Sequence, residues 1–447
     1  MGVFRIVFDW LLILCSLYVL SRALQRMIMR PNTSLGNYVI LITWIFCCLP
    51  ILLDYIFGRP EYKTVYWYFP FIASMANDEV SLIYDLIIVL TLYVLHFYCN
   101  SWDRKPVQAI AWSSPLADSR VLLLIAIWSP FVYIVAAGLL PYLLKYGDSG
   151  TRGMPEGSST MVTALLLLSI IAFCVNYFKK REIKIEDVII FTIYSFAVAW
   201  ISGKRFMIAL LILLYLYFYL NREVPRTTRK KLVRILPILF VALLGFSAFY
   251  LIGVRPLADT SWTSVYEMLR VDFGRDDVTK YAIYHELFLG DHILDYPGES
   301  FISTFFVWIP RAIWPSKPFQ DYQYLTSSIL GLPISLLPAG TTPSWWEMCI
   351  CNFSYVGTIG SIVGLSAMVA LADRVKTVSA RATAMVIVIA LMTQSVDAYI
   401  ALVLLLIAQK VLNVFIKRRT LRQEATGSDF LSTSTSKGGV TRASYNR

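Results

Sequence analysis

Long apolar runs separated by short polar segments make up most of this 447-residue chain. Eleven of the runs are about 15 to 22 residues long, which is the length that a helix needs to cross a ~30 Å hydrocarbon layer. The pattern therefore predicts eleven membrane-spanning helices, over residues 8–24, 38–57, 80–99, 121–144, 160–178, 187–202, 206–220, 235–252, 350–371, 382–396 and 398–416.

The composition agrees with a membrane protein and excludes a set of soluble domains. Hydrophobic residues make up 57% of the chain and charged residues 15%, and a globular surface needs more polar residues than that. The first apolar run is followed by Arg22, Arg26 and Arg30 without a small-residue cleavage site, so we expect a retained helix rather than a signal peptide. The predicted fold class is an all-α polytopic membrane protein with about eleven to twelve transmembrane helices.

Lysine and arginine residues fall in alternate loops, and such a bias sets orientation because basic short loops stay in the cytoplasm. It places the C-terminus inside and the long segment 253–349 outside, and with eleven helices it places the N-terminus outside. Segment 253–349 holds six Lys/Arg against eleven Asp/Glu, a net charge of −5, whereas the whole chain carries +11. This acidic segment is the natural place to look for chemistry.

The chain therefore divides into four parts. They are eight helices in 1–252, the outward segment 253–349, the C-terminal helices in 350–416, and a basic and then disordered cytoplasmic tail in 417–447. The seven cysteines are scattered and imply no disulfide framework, and the spacing of Cys349 and Cys351 suits no zinc site. We expect no metal and no cofactor.

Within the outward segment, the apolar spacing predicts short helices over Trp262–Val271 and Val278–Leu289, the first lying on the membrane surface. Residues Phe301–Trp314 are apolar but too short to span, and Pro310 interrupts them. An interfacial or re-entrant helix is the expected structure there.

The run Trp308 to Pro318 (WIPRAIWPSKP) contains three prolines that force an extended path and hold Arg311 and Lys317 near the headgroup boundary. Arginine offers a planar fork of donors and lysine a point charge, so the pair is suited to grip a phosphate. The alternative is that Arg311 only reaches toward the interface as a long basic side chain.

A second group of cations lies in the turn Ser202 to Arg205 (SGKR), between two short apolar runs. Lys204 and Arg205 should therefore lie below the outer surface, where an arginine without a partner costs about 2.5–3.5 kcal/mol. The partner is either an anionic headgroup or an internal carboxylate such as Asp397.

The run Gly340 to Glu347 (GTTPSWWE) leads into a helix with glycines at 357, 360 and 364 on one face, which lets another helix or a lipid chain approach. Glu347 lies where this helix leaves the bilayer. It is either a desolvated general base or part of the helix start.

These three runs and the topology resemble the Wzy-type family of O-antigen and oligosaccharide repeat-unit polymerases. The family is usually described with about twelve helices and a cytoplasmic N-terminus, from which the predicted topology departs. The resemblance implies a glycosyltransferase of the bacterial inner membrane whose site faces the periplasm. It would move the growing glycan from undecaprenyl pyrophosphate onto a new lipid-linked repeat unit.

For that reaction, fixed cations would stabilise the pyrophosphate leaving group without a metal. The candidates are Arg205, Arg311 and Lys317, with Lys204, Arg255 and Arg275 in support. Glu347 is the first candidate for the general base and His285 the second. Trp345, Trp346 and Tyr281 are the candidates for contact with sugar faces, although packing is the usual role of such residues.

Other functions remain open at this point. An O-antigen ligase would use the same donor but pass the glycan to a lipid A core, and a lipid-linked oligosaccharide flippase or an assembly protein would make no bond. The expected partners are undecaprenyl-pyrophosphate-linked oligosaccharides, membrane lipids, and chain-length regulator and flippase proteins, and no nucleic acid is expected.

Overall fold

The computed structural model describes residues 2–62, 68–105, 111–112, 118–143, 154, 156–179, 185–203, 205–221, 245, 261–306, 309, 311, 313–337, 341, 343–394, 399–400, 402–404, 406–407 and 410–411. Within these residues every regular element is a helix, apart from one isolated bridge between Ala111 and Thr377. The chain is thus an all-α membrane protein, as its apolar pattern predicts.

The first nine helices are α1 (Val3–Met29), α2 (Gly36–Thr43), α3 (Leu49–Phe57), α4 (Phe69–Ala76), α5 (Asp78–Asp103), α6 (Arg120–Ala136), α7 (Glu156–Phe178), α8 (Ile185–Ser202) and α9 (Arg205–Asn221). The later ones are α10 (Trp262–Phe273), α11 (Asp276–Ile283), α12 (Glu299–Phe305), α13 (Asp321–Leu330), α14 (Trp345–Asp373) and α15 (Val378–Thr393). A π-helical stretch joins α2 to α3 over Trp44–Cys48, and another extends α11 over Tyr284–Leu289.

Nine of the eleven predicted spans coincide with described helices. Five helical stretches are long and apolar enough to cross a membrane, and they are Val3–Met29, Gly36–Phe57, Asp78–Asp103, Ser158–Phe178 and Trp345–Asp373. Four shorter apolar helices, α6, α8, α9 and α15, cover further predicted spans. The predicted span 235–252 lies outside the described residues except for Gly245, and 398–416 lies largely outside them.

The long helices share two ends, which we call the loop end and the opposite end. At the loop end, α1 and α5 both begin, since the backbone N–H of Gly2 donates to Asp78 Oδ2 at 3.0 Å. Helix α10 packs there as well, because its Arg270 binds Asp54 near the end of α3. The N-terminus and α10 therefore lie at the same end of the bundle.

At the opposite end, buried polar contacts tie together five helices. Asp373 at the end of α14 accepts from Arg381 of α15 at 2.6 Å and from the Ser34 hydroxyl before α2 at 2.6 Å. Asp103 at the end of α5 lies 3.7 Å from the guanidinium of Arg26 in α1. Paired charges of this kind are the form in which ionisable side chains are tolerated in the interior of a helical bundle.

The π-helical stretch before α3 has a cause in the sequence, because Pro50 has no N–H to donate to the carbonyl of Phe46 four residues earlier. That carbonyl instead accepts the backbone N–H of Arg275 at 3.1 Å. The free acceptor left by Pro50 thus fixes the start of α11 against the bundle.

Helix α14 is not straight, because its backbone reverses at Ser354, where φ is 47° and ψ is −123°. In a straight helix Trp345 and Gly364 would be ~28 Å apart, yet a Cβ atom on Gly364 would lie 2.7 Å from the Trp345 ring. The arm 345–353 is folded back onto the arm 355–373, and the second arm alone is ~28 Å long, enough to span.

This reversal corrects the expected role of the three glycines. A Cβ atom on Gly357 would lie 1.9 Å from the Cys349 carbonyl oxygen, so Gly357 and Gly364 make room for the helix's own first arm. Only Gly360 faces open space, with nothing within 4 Å of such an atom. The glycine face is therefore largely occupied, rather than open to another helix or to a lipid chain.

We expect Gly357→Ala to lower the free energy of unfolding in detergent by about 1–3 kcal/mol or more, because the added methyl group overlaps a backbone carbonyl. Gly360→Ala, one turn away, is the matched control and should be neutral or slightly stabilising. Equal melting temperatures for the two variants would contradict the reversal at Ser354.

The structure also corrects the helix expected over Phe301–Trp314. Helix α12 ends at Phe305, and among the described residues that follow none before Asp321 is helical. The predicted helix Trp262–Val271 is present as α10, but it packs on the end of α3 through ring contacts of Phe57 with Trp262 and Tyr266. Helix α11 with its π-helical extension covers the predicted Val278–Leu289.

Candidate functional site

A small cavity of about 20 Å³ lies at the loop end, where α13, α14 and α15 meet. Its lining comes from four separate stretches of chain and combines apolar surface with the polar residues Thr304, Gln320, Asp321, Ser344, Gln394 and Tyr399. The enclosed space holds about one water molecule, and the amide, hydroxyl and carboxyl groups of its wall suit the hydroxyl group of a ligand.

Two helices begin at this cavity. Helix α13 has a capping box between Gln320 and Gln323, and α14 has one between Ser344 and Glu347. Capping residues satisfy the first backbone N–H groups of a helix, and the N-terminal end of a helix favours negative charge. Both helix ends are thus capped, and each already carries a carboxyl group, Asp321 in α13 and Glu347 in α14.

Asp321 is the first residue of α13, and it is 5% exposed. Among the described residues no donor bonds either oxygen of its carboxyl group with good geometry, and the Ser300 hydroxyl makes a weaker hydrogen bond to this carboxyl group. Burial and then the nearby carboxyl of Glu347 raise the pKa of Asp321 to about 7, while the Ser300 hydroxyl lowers it. Buried polar groups almost always have well-formed hydrogen bonds, so a weakly bonded carboxyl at a cavity marks a candidate ligand site.

Glu347 is completely buried and both of its oxygens are occupied. One accepts the backbone N–H of Ser344 at 2.6 Å and the hydroxyl of the same residue, and the other accepts the hydroxyl of Thr279 in α11. These contacts match the helix-start alternative for Glu347, and they also join α14 to α11.

The loop 309–319, which we call the cationic loop, is closed by its own two cations. Arg311 donates to the carbonyl oxygens of Lys317 at 2.6 Å and Pro318 at 3.0 Å, and Lys317 donates from Nζ to the carbonyl oxygen of Ile309 at 3.0 Å. Arg311 also lies over the ring of Phe319, with Cζ 3.9 Å from the ring centre. Arg311 remains exposed, whereas Lys317 is buried.

The cationic loop leads directly to the cavity, because Gln320 and Asp321 follow Phe319. Phe319 is fixed by its backbone N–H, which donates to the hydroxyl of Tyr324 at 3.2 Å. The exposed guanidinium of Arg311 therefore lies against the residue next to the cavity wall.

The turn before α9 reaches the same place. Gly203 adopts φ 59°, and Arg205 is the first residue of α9. Phe206, the next residue, packs against a cluster that includes Met348, Leu391 and Tyr399, all of which line the cavity. The side chain of Arg205, together with Lys204, Arg255 and Asp397, lies outside the described residues.

The other predicted residues take different places. The guanidinium of Arg275 donates to the carbonyl oxygen of Thr393 at 3.5 Å, one residue before Gln394 in the cavity wall. The ring of His285 lies against Tyr281 with 4.2 Å between ring centres and bonds Asp291 at 3.2 Å, and His285 does not line the cavity.

Two of the three predicted sugar-contacting residues have no accessible face. Trp346 is 1% exposed and its Nε1 donates to Thr91 at 3.4 Å, and Tyr281 is 2% exposed and bonds Ser328 at 2.9 Å. Trp345 is partly buried, donates to the carbonyl oxygen of Ser361 at 2.7 Å and packs over Gly364. All three side chains contact other parts of the protein, as expected for residues whose role is packing.

A buried charge network lies at the start of α11, the helix that Thr279 joins to Glu347. Arg270 binds Asp54 through Nε at 3.0 Å and Asp276 through Nη1 at 2.8 Å, and Lys280 lies 3.4 Å from Asp276. Although burial alone would raise it, the charges of Arg270 and Lys280 hold the pKa of Asp276 well below its usual range. Burial and the charge of Asp276 raise the pKa of the adjacent Asp277 to about 7.

In the part of the chain that the structure describes, no group of three or more His, Cys, Asp or Glu residues could hold a metal ion. Comparison with family models, with curated proteins and with solved structures found no match to this chain. The function must therefore be argued from the site itself.

Sequence reasoning missed Asp321 and the Arg270 network. Asp54 carried a usable signal, because it is the only charged residue in the run 38–57, and such residues inside an apolar run usually mark a buried partner. Asp321 carried none, since an acidic residue at the start of a short helix is common on any protein surface.

Proposed function

We propose that the protein is a glycosyltransferase that polymerises lipid-linked oligosaccharide repeat units. The growing glycan on undecaprenyl pyrophosphate is transferred to a new unit carried on the same lipid. The loop end would face the periplasm of a bacterial inner membrane, which agrees with the basic residues concentrated in the loops of the opposite side.

One observation carries the proposal, namely that the cavity at the loop end adjoins two of the predicted cationic elements. The cationic loop ends at Gln320 in the cavity wall, and Arg205 is followed by Phe206, which packs on three residues of that wall. These elements are more than 100 residues apart in the chain. Their meeting at one cavity is what a phosphate-linked substrate at a membrane surface requires.

The charges suit the leaving group of such a reaction. Breaking the bond between an anomeric carbon and pyrophosphate builds negative charge on the leaving oxygen, and fixed cations and helix N-terminal ends stabilise that charge. Arg311 with its exposed guanidinium and Arg205 are the principal candidates. Lys317 holds the loop, and Arg275, Lys204 and Arg255 remain supporting candidates.

The position of the site suits a substrate with a long lipid tail. The surface beside the cationic loop is apolar, with Phe305 72% and Ile313 76% exposed on either side of Arg311. Cations surrounded by exposed apolar side chains are typical of the boundary between headgroups and hydrocarbon. A lipid pyrophosphate can thus bind with its tail in the bilayer and a sugar hydroxyl group in the cavity.

The test is an assay with purified protein, lipid-linked repeat units and an isolated lipid A core as a competing acceptor. We expect a ladder of longer lipid-linked products. Transfer only to the lipid A core would indicate a ligase and contradict polymerisation. Absence of any product, with repeat units moved across vesicles, would indicate a flippase.

A further inference from the structure

We propose that Asp321 is the general base that accepts the proton of the acceptor hydroxyl in this glycosyl transfer. The inference rests on the proposed function and adds the group that activates the acceptor. The first reason is position, because Asp321 lines the same cavity as Ser344 and Gln394 and is the only carboxylic acid in its described wall.

The second reason is that the carboxyl group is buried with only a weak hydrogen bond. Its residue is 5% exposed, and the Ser300 hydroxyl bonds it outside good hydrogen-bond geometry. A carboxylate in such a place is costly unless a ligand supplies the missing bond. A sugar hydroxyl in the cavity would donate that bond and would then be in position to give up its proton.

The third reason is the contrast with the two bases expected from sequence. Both oxygens of Glu347 are held by Ser344 and Thr279, so Glu347 has no oxygen left for a substrate. His285 lies outside the cavity wall. Glu347 acts on Asp321 instead, since its charge is the second cause, after burial, that raises the pKa of Asp321 to about 7. A base whose pKa lies near the working pH transfers protons most effectively.

The step balances without any other reagent. The acceptor oxygen forms a bond to the anomeric carbon while its proton passes to a carboxyl oxygen of Asp321. The bond from that carbon to the pyrophosphate oxygen breaks, and its electron pair leaves with the lipid pyrophosphate. Asp321 then returns the proton to solvent, and the site is ready for another unit.

The experiment compares initial rates of wild type, Asp321→Asn and Asp321→Glu with purified protein and lipid-linked repeat units, from about pH 5.5 to about pH 8.5. The wild-type rate should be full above the pKa of the base and fall about tenfold per unit as pH drops below about 7. The initial rate of Asp321→Asn should be about 10²–10⁴-fold lower than that of wild type at every pH. Asp321→Glu should keep part of the activity, and its rate should fall in the same way as the pH drops. Asp118→Asn, an exposed acid at the opposite end, is the matched control and should leave the rate unchanged.

A second measurement excludes a merely structural role. Asp321→Asn removes a buried charge that has no cationic partner among the described residues, so its melting temperature in detergent should equal or exceed that of wild type. A lower melting temperature together with lost activity would assign Asp321 a structural role and overturn the inference. A rate of Asp321→Asn within about threefold of wild type would overturn it as well, while leaving the polymerase function standing. If wild type itself forms no product, the proposed function fails and this inference fails with it.

Discussion

Replacing Arg270 with methionine is expected to lower the free energy of unfolding by about 3–5 kcal/mol, the largest stability loss of any single change considered for this protein. The side chain is 1% exposed and binds two carboxylates, Asp54 and Asp276, with five hydrogen-bond distances between 2.8 and 3.1 Å. Methionine fills a similar volume but leaves both carboxylates buried without the cation. Loss of the partner, rather than loss of packing, is the cause.

The measurement is the melting temperature of the purified protein in detergent. It is read from the fraction of protein that stays monodisperse after heating. Lys280→Met is the matched control, because Asp276 keeps Arg270 as its partner, and its effect should be much smaller. The double variant Arg270→Met, Asp54→Asn should recover much of the lost stability, since Asp54 no longer carries an unpaired charge and Asp276 keeps Lys280 as its cation. A melting temperature for Arg270→Met equal to that of Lys280→Met would contradict this account of the network.

Arg311→Ala and Arg205→Ala should each lower the rate of product formation by about 10²–10³-fold. Each change removes a fixed positive charge from the place where the pyrophosphate would leave in the proposed reaction. In cells the long polysaccharide should disappear while the amount of protein in the membrane stays normal. The readout is the length distribution of the glycan beside an immunoblot of the protein.

Two further variants separate charge at the site from charge in general. Lys179→Ala removes an exposed cation that pairs with Asp118 at the opposite end, and it should leave the glycan unchanged. Arg311→Lys keeps the charge but loses the two carbonyl contacts of the guanidinium fork, so an intermediate rate is expected. Persistence of long glycan in both Arg311→Ala and Arg205→Ala would refute the role of these cations.

The helical bundle could be predicted from the sequence because each span carries its own signal. A run such as 80–99 has too few polar residues to be anything but a buried helix, and α5 covers it. The reversal in α14 could not be predicted, because Ser354 is neither glycine nor proline and nothing local marks it. The glycines at 357 and 364 were visible, but their partner is the same helix, and only the folded structure shows that.

The candidate site was predictable only in part, for a related reason. Arg311 and Lys317 stand out because three prolines constrain the chain around them, and that is a local property. The contact of Phe206 with residues near 348, 391 and 399 depends on how distant helices pack. Asp321 gains its significance from burial and from Glu347, which lies 26 residues later in the sequence. Neither the burial of Asp321 nor its proximity to Glu347 can be inferred from the residues next to it in the sequence.

The central claim is that the protein forms glycosidic bonds at the loop-end cavity and releases a lipid pyrophosphate for each bond. The most direct test is to reconstitute the purified protein in vesicles with lipid-linked repeat units and to measure bonds formed and undecaprenyl pyrophosphate released. The account predicts equal amounts of both for wild type and neither above background for Arg311→Ala. Repeat units that cross the bilayer or bind the protein while no bond forms and no lipid pyrophosphate is released would contradict it.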